Sequence, residues 1–169
     1  MLIGITLYGS VYYVIAMLFL QHKDVASSVI FGLSVVIPLF FGVVFGPLVG
    51  LATGIGGLVL GHALNSSYPA WNDALGIGLT GLIAGLAMFN KRGQHRRIRA
   101  FATAVSYAVP AVIIGEGFVD CTSIWVQHIG AASASINFLL YALLELAGAL
   151  ILLPLALAVY ATITHFRPR

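Results

Sequence analysis

Charge is scarce in this chain. Of its 169 residues 8% are charged, 60% are hydrophobic, and mean hydropathy is +1.04. A water-soluble domain carries about a quarter of its residues as Asp, Glu, Lys and Arg, so this composition excludes one. Cysteine is nearly absent as well. Cys121 stands alone, which excludes an intrachain disulfide and any CxxC metal or redox pair. The chain has no HExxH, no GxSxG and no Walker A lysine motif. Zincin, serine-hydrolase and in-chain ATPase signatures are therefore missing. No ten-residue alternation of polar and apolar residues occurs, which argues against a transmembrane barrel. No basic segment precedes the first apolar run, so that run is expected to be retained rather than cleaved.

Long uncharged apolar runs are what the chain does have. About 20 such residues cross a hydrocarbon core, and in lipid each backbone polar group must be bonded within its own helix or a closed barrel. The fold class expected is all-α: a single polytopic membrane domain over residues 1–169, a bundle of six transmembrane helices. The spans fall at about 3–20, 28–44 (interrupted by Pro38), 46–65, 74–90, 100–118 and 136–162. Two polar connections separate them. One is SSYPAWND; the other is residues 119–135, with Asp120, Trp125, Gln127 and His128.

The net charge of +3 reads as topology rather than nucleic-acid binding. Lys91, Arg92, Arg96, Arg97 and Arg99 crowd one loop between the fourth and fifth spans. Loops rich in Lys and Arg stay in the cytoplasm. Arg167 and Arg169 fall on the same side, so both termini are expected there.

With that orientation the polar residues gather at the outer face. His62 and Asn65 end the third span, and Trp71 follows in the outer connection. Glu116 and Asp120 end the fifth span, and Trp125 and His128 follow. Asn137, Tyr141 and Glu145 repeat every four residues and share one helical face. An ionisable side chain within the membrane is a functional-site candidate by default. Blander roles stay open at this point. Glu145 could be a protonated carboxyl bonded to a neighbouring helix. His62 could serve helix packing, Asp120 could be a solvated loop residue, and Trp71 and Trp125 could be interface anchors. Three carboxylates with aromatics and no arginine suit a cationic or amine-bearing heterocycle. On this reading Glu145→Gln weakens binding more than Lys23→Ala does.

The glycines form a second pattern. Gly46, Gly50, Gly54, Gly57 and Gly61 step along one face of the third span, and Gly78, Gly81 and Gly85 along the fourth. Small residues let helix backbones approach in lipid, where no hydrophobic force draws helices together. The third and fourth spans are expected to pair as a tight hairpin, with SSYPAWND as an outer lid.

The segments FGPLVGLATGIGGLVLG and GIGLTGLIAGL, with ITLYGSVYYVIAMLF and the closing LPLALAVY, resemble the substrate-binding S component of energy-coupling factor (ECF) transporters. The resemblance covers nearly the whole chain. It implies a multi-pass protein of the prokaryotic plasma membrane that captures a vitamin or vitamin precursor with high affinity at the outer face. It implies partners: a membrane T subunit and two cytoplasmic ATPase subunits, beside which the S component topples to release its cargo. Glu116, Trp125, His128, Asn137, Tyr141 and Glu145 are the positions that would line such a site, with His62, Asn65 and Trp71 at its rim. The residue set is similar to that of thiamine-binding members, so thiamine or its pyrimidine precursor leads among the substrates, with riboflavin, another B vitamin and a cobalamin-type or porphyrin ligand left open. No cofactor, resident metal or nucleic acid is expected. The first span departs from the family by lacking AxxxA; Gly9 and Ala16 lie seven apart instead. The alternatives are a small proton-coupled secondary transporter or channel and, further off, an intramembrane metalloenzyme built on His62, Glu116, His128 and Glu145.

Overall fold

The computed structural model describes residues 1–8, 10–11, 32–64, 71–90, 97–126 and 128–165. Most of the first span, with Gly9 and Ala16, lies outside the described residues. So do the start of the second span, Lys23, Asn65, Gln127, the loop residues 91–96, and Arg167 and Arg169. Regular structure among the described residues is helical throughout. Residues 2–8 form helix at the N-terminus. They are followed by α1 (Val36–Phe45), α2 (Pro47–Leu64), α3 (Trp71–Gly85), α4 (Ala87–Asn90), α5 (Arg97–Val126) and α6 (Ala131–His165). Among the described residues four helical stretches are long and apolar enough to cross a membrane: Pro47–Leu64, Trp71–Phe89, Phe101–Val126 and Ala131–Ile163, with Gly32–Phe45 shorter. The chain is thus an all-α, multi-pass membrane protein.

Two residues set the boundary between α1 and α2. Gly46 takes φ 109°, and its N–H bonds back to the Gly42 carbonyl at 2.8 Å. That left-handed geometry ends a helix and suits glycine. Pro47 then opens α2, where its missing N–H costs nothing. The FGP sequence is therefore a helix break, and Gly46 does not belong to the glycine face of α2 as its spacing suggested. Earlier in the chain, Pro38 has no N–H to donate to the Ser34 carbonyl, and a turn at Val35 separates residues 32–34 from α1.

The glycine hairpin is present. A Cβ on Gly50 would run into the Gly81 carbonyl, one on Gly54 into the backbone at Ile77 and Gly78, and one on Gly85 into Pro47. Backbone therefore lies on backbone along α2 and α3. Gly57 departs from the expectation. It faces Tyr8, and neighbouring Gly56 faces Ile5. The glycine run thus serves two neighbours, because α2 is packed on both sides.

Helix α5 packs between α3 and α6. Its Ala104, Ala108 and Ala111 are fully buried and lie on one face by their spacing. They join Leu39, Val43, Ala84, Ala149 and Leu153 in an apolar core. That core occupies the ends of α5 and α6 away from their connection. The connection itself is far shorter than the sequence suggested. Residues 119–126 continue α5, and α6 starts at Ala131 rather than Ile136. No glycine or proline falls between Phe118 and Ile129 to stop the helix. The Thr122 hydroxyl returns to the Phe118 and Val119 carbonyls at 2.7 and 2.9 Å. Thr122 thus bonds within its own helix and Ser123 meets Asn72 of a neighbouring one, so the polar side chains of this stretch are accommodated without unwinding it.

Candidate binding cleft

Three helix segments converge where the apolar core ends: the first turns of α3, the last turns of α5 and the first half of α6. On α5, Glu116, Asp120 and Ser123 follow at intervals of four and three, so they share a face. On α6, Asn137, Tyr141 and Glu145 do the same. Asp73 comes from the first turn of α3. All of these except Glu145 line one cleft of about 220 Å³, together with Ile77, Val119 and Ile129. Among the described residues the wall contains no Lys, Arg or His.

Two polar contacts hold the walls in place. Buried Asn72 on α3 donates from Nδ2 to Ser123 Oγ on α5 at 2.9 Å. The turn between α5 and α6 is set by His128, whose φ of 54° is left-handed. The Ile129 N–H then reaches the Ser123 carbonyl at 3.5 Å.

Behind the wall lies Glu145, only 2% exposed. Its carboxyl adjoins that of Glu116 at hydrogen-bonding range, and its Oε2 has no partner among the described residues. An ionised carboxylate can only accept hydrogen bonds, whereas a carboxylic acid can also donate one. With Asp73, Glu116, Asp120 and Glu145, the cleft draws on four of the chain's five acidic residues.

The sequence candidates divide. Glu116, Asn137 and Tyr141 line the cleft, and Glu145 backs it. Trp71 and Trp125 do not line it; they are 61% and 81% exposed, as interface anchors would be. His128 is an exposed turn residue. His62 is half-buried on α2, away from the cleft wall. Asn65 lies outside the described residues. Among the described residues Tyr141 is thus the one aromatic on the wall, and neither Trp71 nor Trp125 joins it there. The Phe40, Phe41, Phe45 and Tyr160 rings cluster between α1 and α6 instead.

Sequence reading missed Asp73 and Ser123 and undervalued Asp120. Asp120 and Ser123 were legible in part. Ser123 stands seven residues after Glu116 and continues the face of Glu116 and Asp120, whereas Asp73 shares a face only with apolar Ile77, four residues on. They were assigned to connections because polar density was taken for the end of a helix. Among the described residues no group of three or more His, Cys, Asp or Glu is placed to hold a metal ion.

The family model described as ECF-type riboflavin transporter, S component, matches residues 4–162. A UPF0397 protein of Streptococcus gordonii (strain Challis) is 50% identical over 50 residues. That alignment covers 27% of this chain and 25% of the relative, so the chain matches about a quarter of that protein's length. No solved structure matches.

Proposed function

The chain belongs to the family of ECF-type riboflavin transporter S components, and from that premise we propose that it captures a small amine-bearing heterocycle for import. It is a transport subunit of the vitamin type. The finer reading rests on one observation: Asp73, Glu116 and Asp120 line a cleft that has no cationic side chain among the described residues. Carboxylates accept hydrogen bonds from ammonium, amidine-like and amino groups and repel anions. The Asn137 side chain supplies both a donor and an acceptor for a ring edge, and Tyr141 offers an aromatic face. Thiamine or its pyrimidine precursor has this chemistry.

Riboflavin, which the family's description names, is the second reading. Its imide and hydroxyl groups could also donate to carboxylates. The cleft volume of about 220 Å³ is below the roughly 300–1,000 Å³ usual for drug-sized ligands, and this favours a ligand of one or two small rings over an extended fused tricycle. The rest of the proposal follows the family: capture at the outer face of the plasma membrane by a six-helix bundle with cytoplasmic termini. Delivery then uses a T subunit and two ATPases. A proton-coupled carrier working alone is the competing class.

Native mass spectrometry of the protein purified from membranes tests the substrate reading. The expected result is a bound amine-bearing heterocycle. A bound flavin selects the second reading, and a bound anionic metabolite contradicts both.

A further inference from the structure

Resting on the binding reading above, we propose that Glu145 serves the cleft as a neutral acid, whose carboxyl O–H donates to the Glu116 carboxylate and fixes its direction. Two carboxyl groups meet, one at the cleft wall and one behind it. Both cannot be ionised, since neither could then donate. One of the two must therefore keep a proton.

Burial and unmet bonding capacity decide which. Glu145 is sealed at 2% exposure, and its Oε2 has no hydrogen-bond partner among the described residues. Gly32, ahead of α1, abuts the α6 backbone at Leu144 and Glu145 so closely that a Cβ there would collide with Leu144. A full negative charge in that place would leave one oxygen without any donor, and an uncompensated buried charge is far more costly than a neutral carbonyl oxygen in the same position. Glu116 is placed differently. It borders the cleft, among Ser123, Asn137 and Tyr141, whose hydroxyl and amide groups can donate. The other acidic groups facing it are Asp73 from α3 and Asp120 from its own helix; both oppose charge on Glu116, so the assignment rests on the deeper burial of Glu145 and on the donors that border Glu116.

Glu145 is then a positioning residue. It touches Glu116 and not the ligand, and its contribution is one oriented donor. Glutamine at 145 reproduces that function, with its amide N–H donating to Glu116 and its carbonyl standing where Oε2 stands. The sequence expectation is therefore reversed: Glu145→Gln keeps the cleft working, whereas Glu145→Met removes the donor at similar size.

Infrared spectroscopy of the purified, ligand-free protein tests this without any binding measurement. A protonated carboxylic acid has a C=O stretch separate from those of carboxylates and amides. The expected result is a buried-acid band in the wild type, shifted but present in Glu116→Gln and absent in Glu145→Gln. A band lost in Glu116→Gln, retained in Glu145→Gln, or missing from the wild type overturns the proposal. Thiamine titration provides the second arm: Glu145→Gln within about threefold of wild type, and Glu145→Met at least tenfold weaker. Equal losses in both variants, with unfolding temperatures unchanged, overturn the positioning role. A wild type that binds no thiamine removes the substrate reading and leaves the infrared result to decide the protonation.

Discussion

His128 shows how a single backbone angle separates two roles. As a sequence element it belonged with the ligand candidates, a titratable side chain in a polar connection. In the structure it occupies the left-handed region at φ 54°, between α5 and α6, with its side chain exposed. For most residues that conformation costs about 1–2 kcal/mol; histidine is among the types found there more often. The position asks for a turn former. His128→Gly is accordingly expected to unfold within about 1 kcal/mol of the wild type and to keep ligand affinity, as measured by thermal unfolding and titration in detergent. A tenfold loss of affinity would return His128 to the site. The same scale explains why the cleft was half legible beforehand. Glu116, Asn137 and Tyr141 stood out because polar residues inside an apolar run must face a partner, a ligand or water. Trp125 and His128 looked equivalent to them only because sequence proximity does not reveal the direction a side chain takes at the end of a helix.

Between helices, the hairpin of α2 and α3 is the best-defined element of the bundle. Its legibility came from spacing: glycines three and four apart leave one smooth face, and two such faces fit together. What spacing could not show was the second partner. Gly56 and Gly57 receive Ile5 and Tyr8 from the N-terminal helical residues, because a helix in the middle of a bundle has more than one neighbour. Nor could composition locate the end of α5, since polar residues that face a cleft look the same as those that face water. The packing gives a graded prediction. At Gly54 an added methyl would meet the α3 backbone at 2.7–2.8 Å, whereas at Gly117 it would meet only a Phe138 ring carbon at 3.9 Å. Gly54→Ala is expected to destabilise the protein by about 1–3 kcal/mol through overpacking. Gly117→Ala should be neutral or slightly stabilising, given alanine's better helix propensity of roughly 0.8–1 kcal/mol. Thermal unfolding in detergent reads both. Equal effects would mean that the two helices are not in backbone contact.

Across the whole molecule, polarity is segregated along the helices. On α5 the buried alanines precede Glu116 and Asp120; on α6, running back, Asn137, Tyr141 and Glu145 precede Ala149 and Leu153. One end of the bundle is a dry core and the other an acidic cleft, the arrangement a membrane-embedded receptor needs to take a polar ligand from one side only. The family match identifies a transport subunit, and the cleft's charge supplies the substrate reading. The overall class was readable from apolar runs and glycine spacing. The substrate was not, because recognition depends on which polar groups share a wall, and that is settled by helix packing. Calorimetric titration of thiamine and riboflavin into the purified protein and Glu116→Gln tests the central claim most directly. Removing one partner of a buried charge contact costs about 2 kcal/mol or more, roughly 30-fold in affinity. Thiamine is expected to bind the wild type more tightly than riboflavin, and Glu116→Gln to weaken it by at least that factor. Riboflavin binding alone, or thiamine binding that Glu116→Gln leaves intact, would contradict the claim.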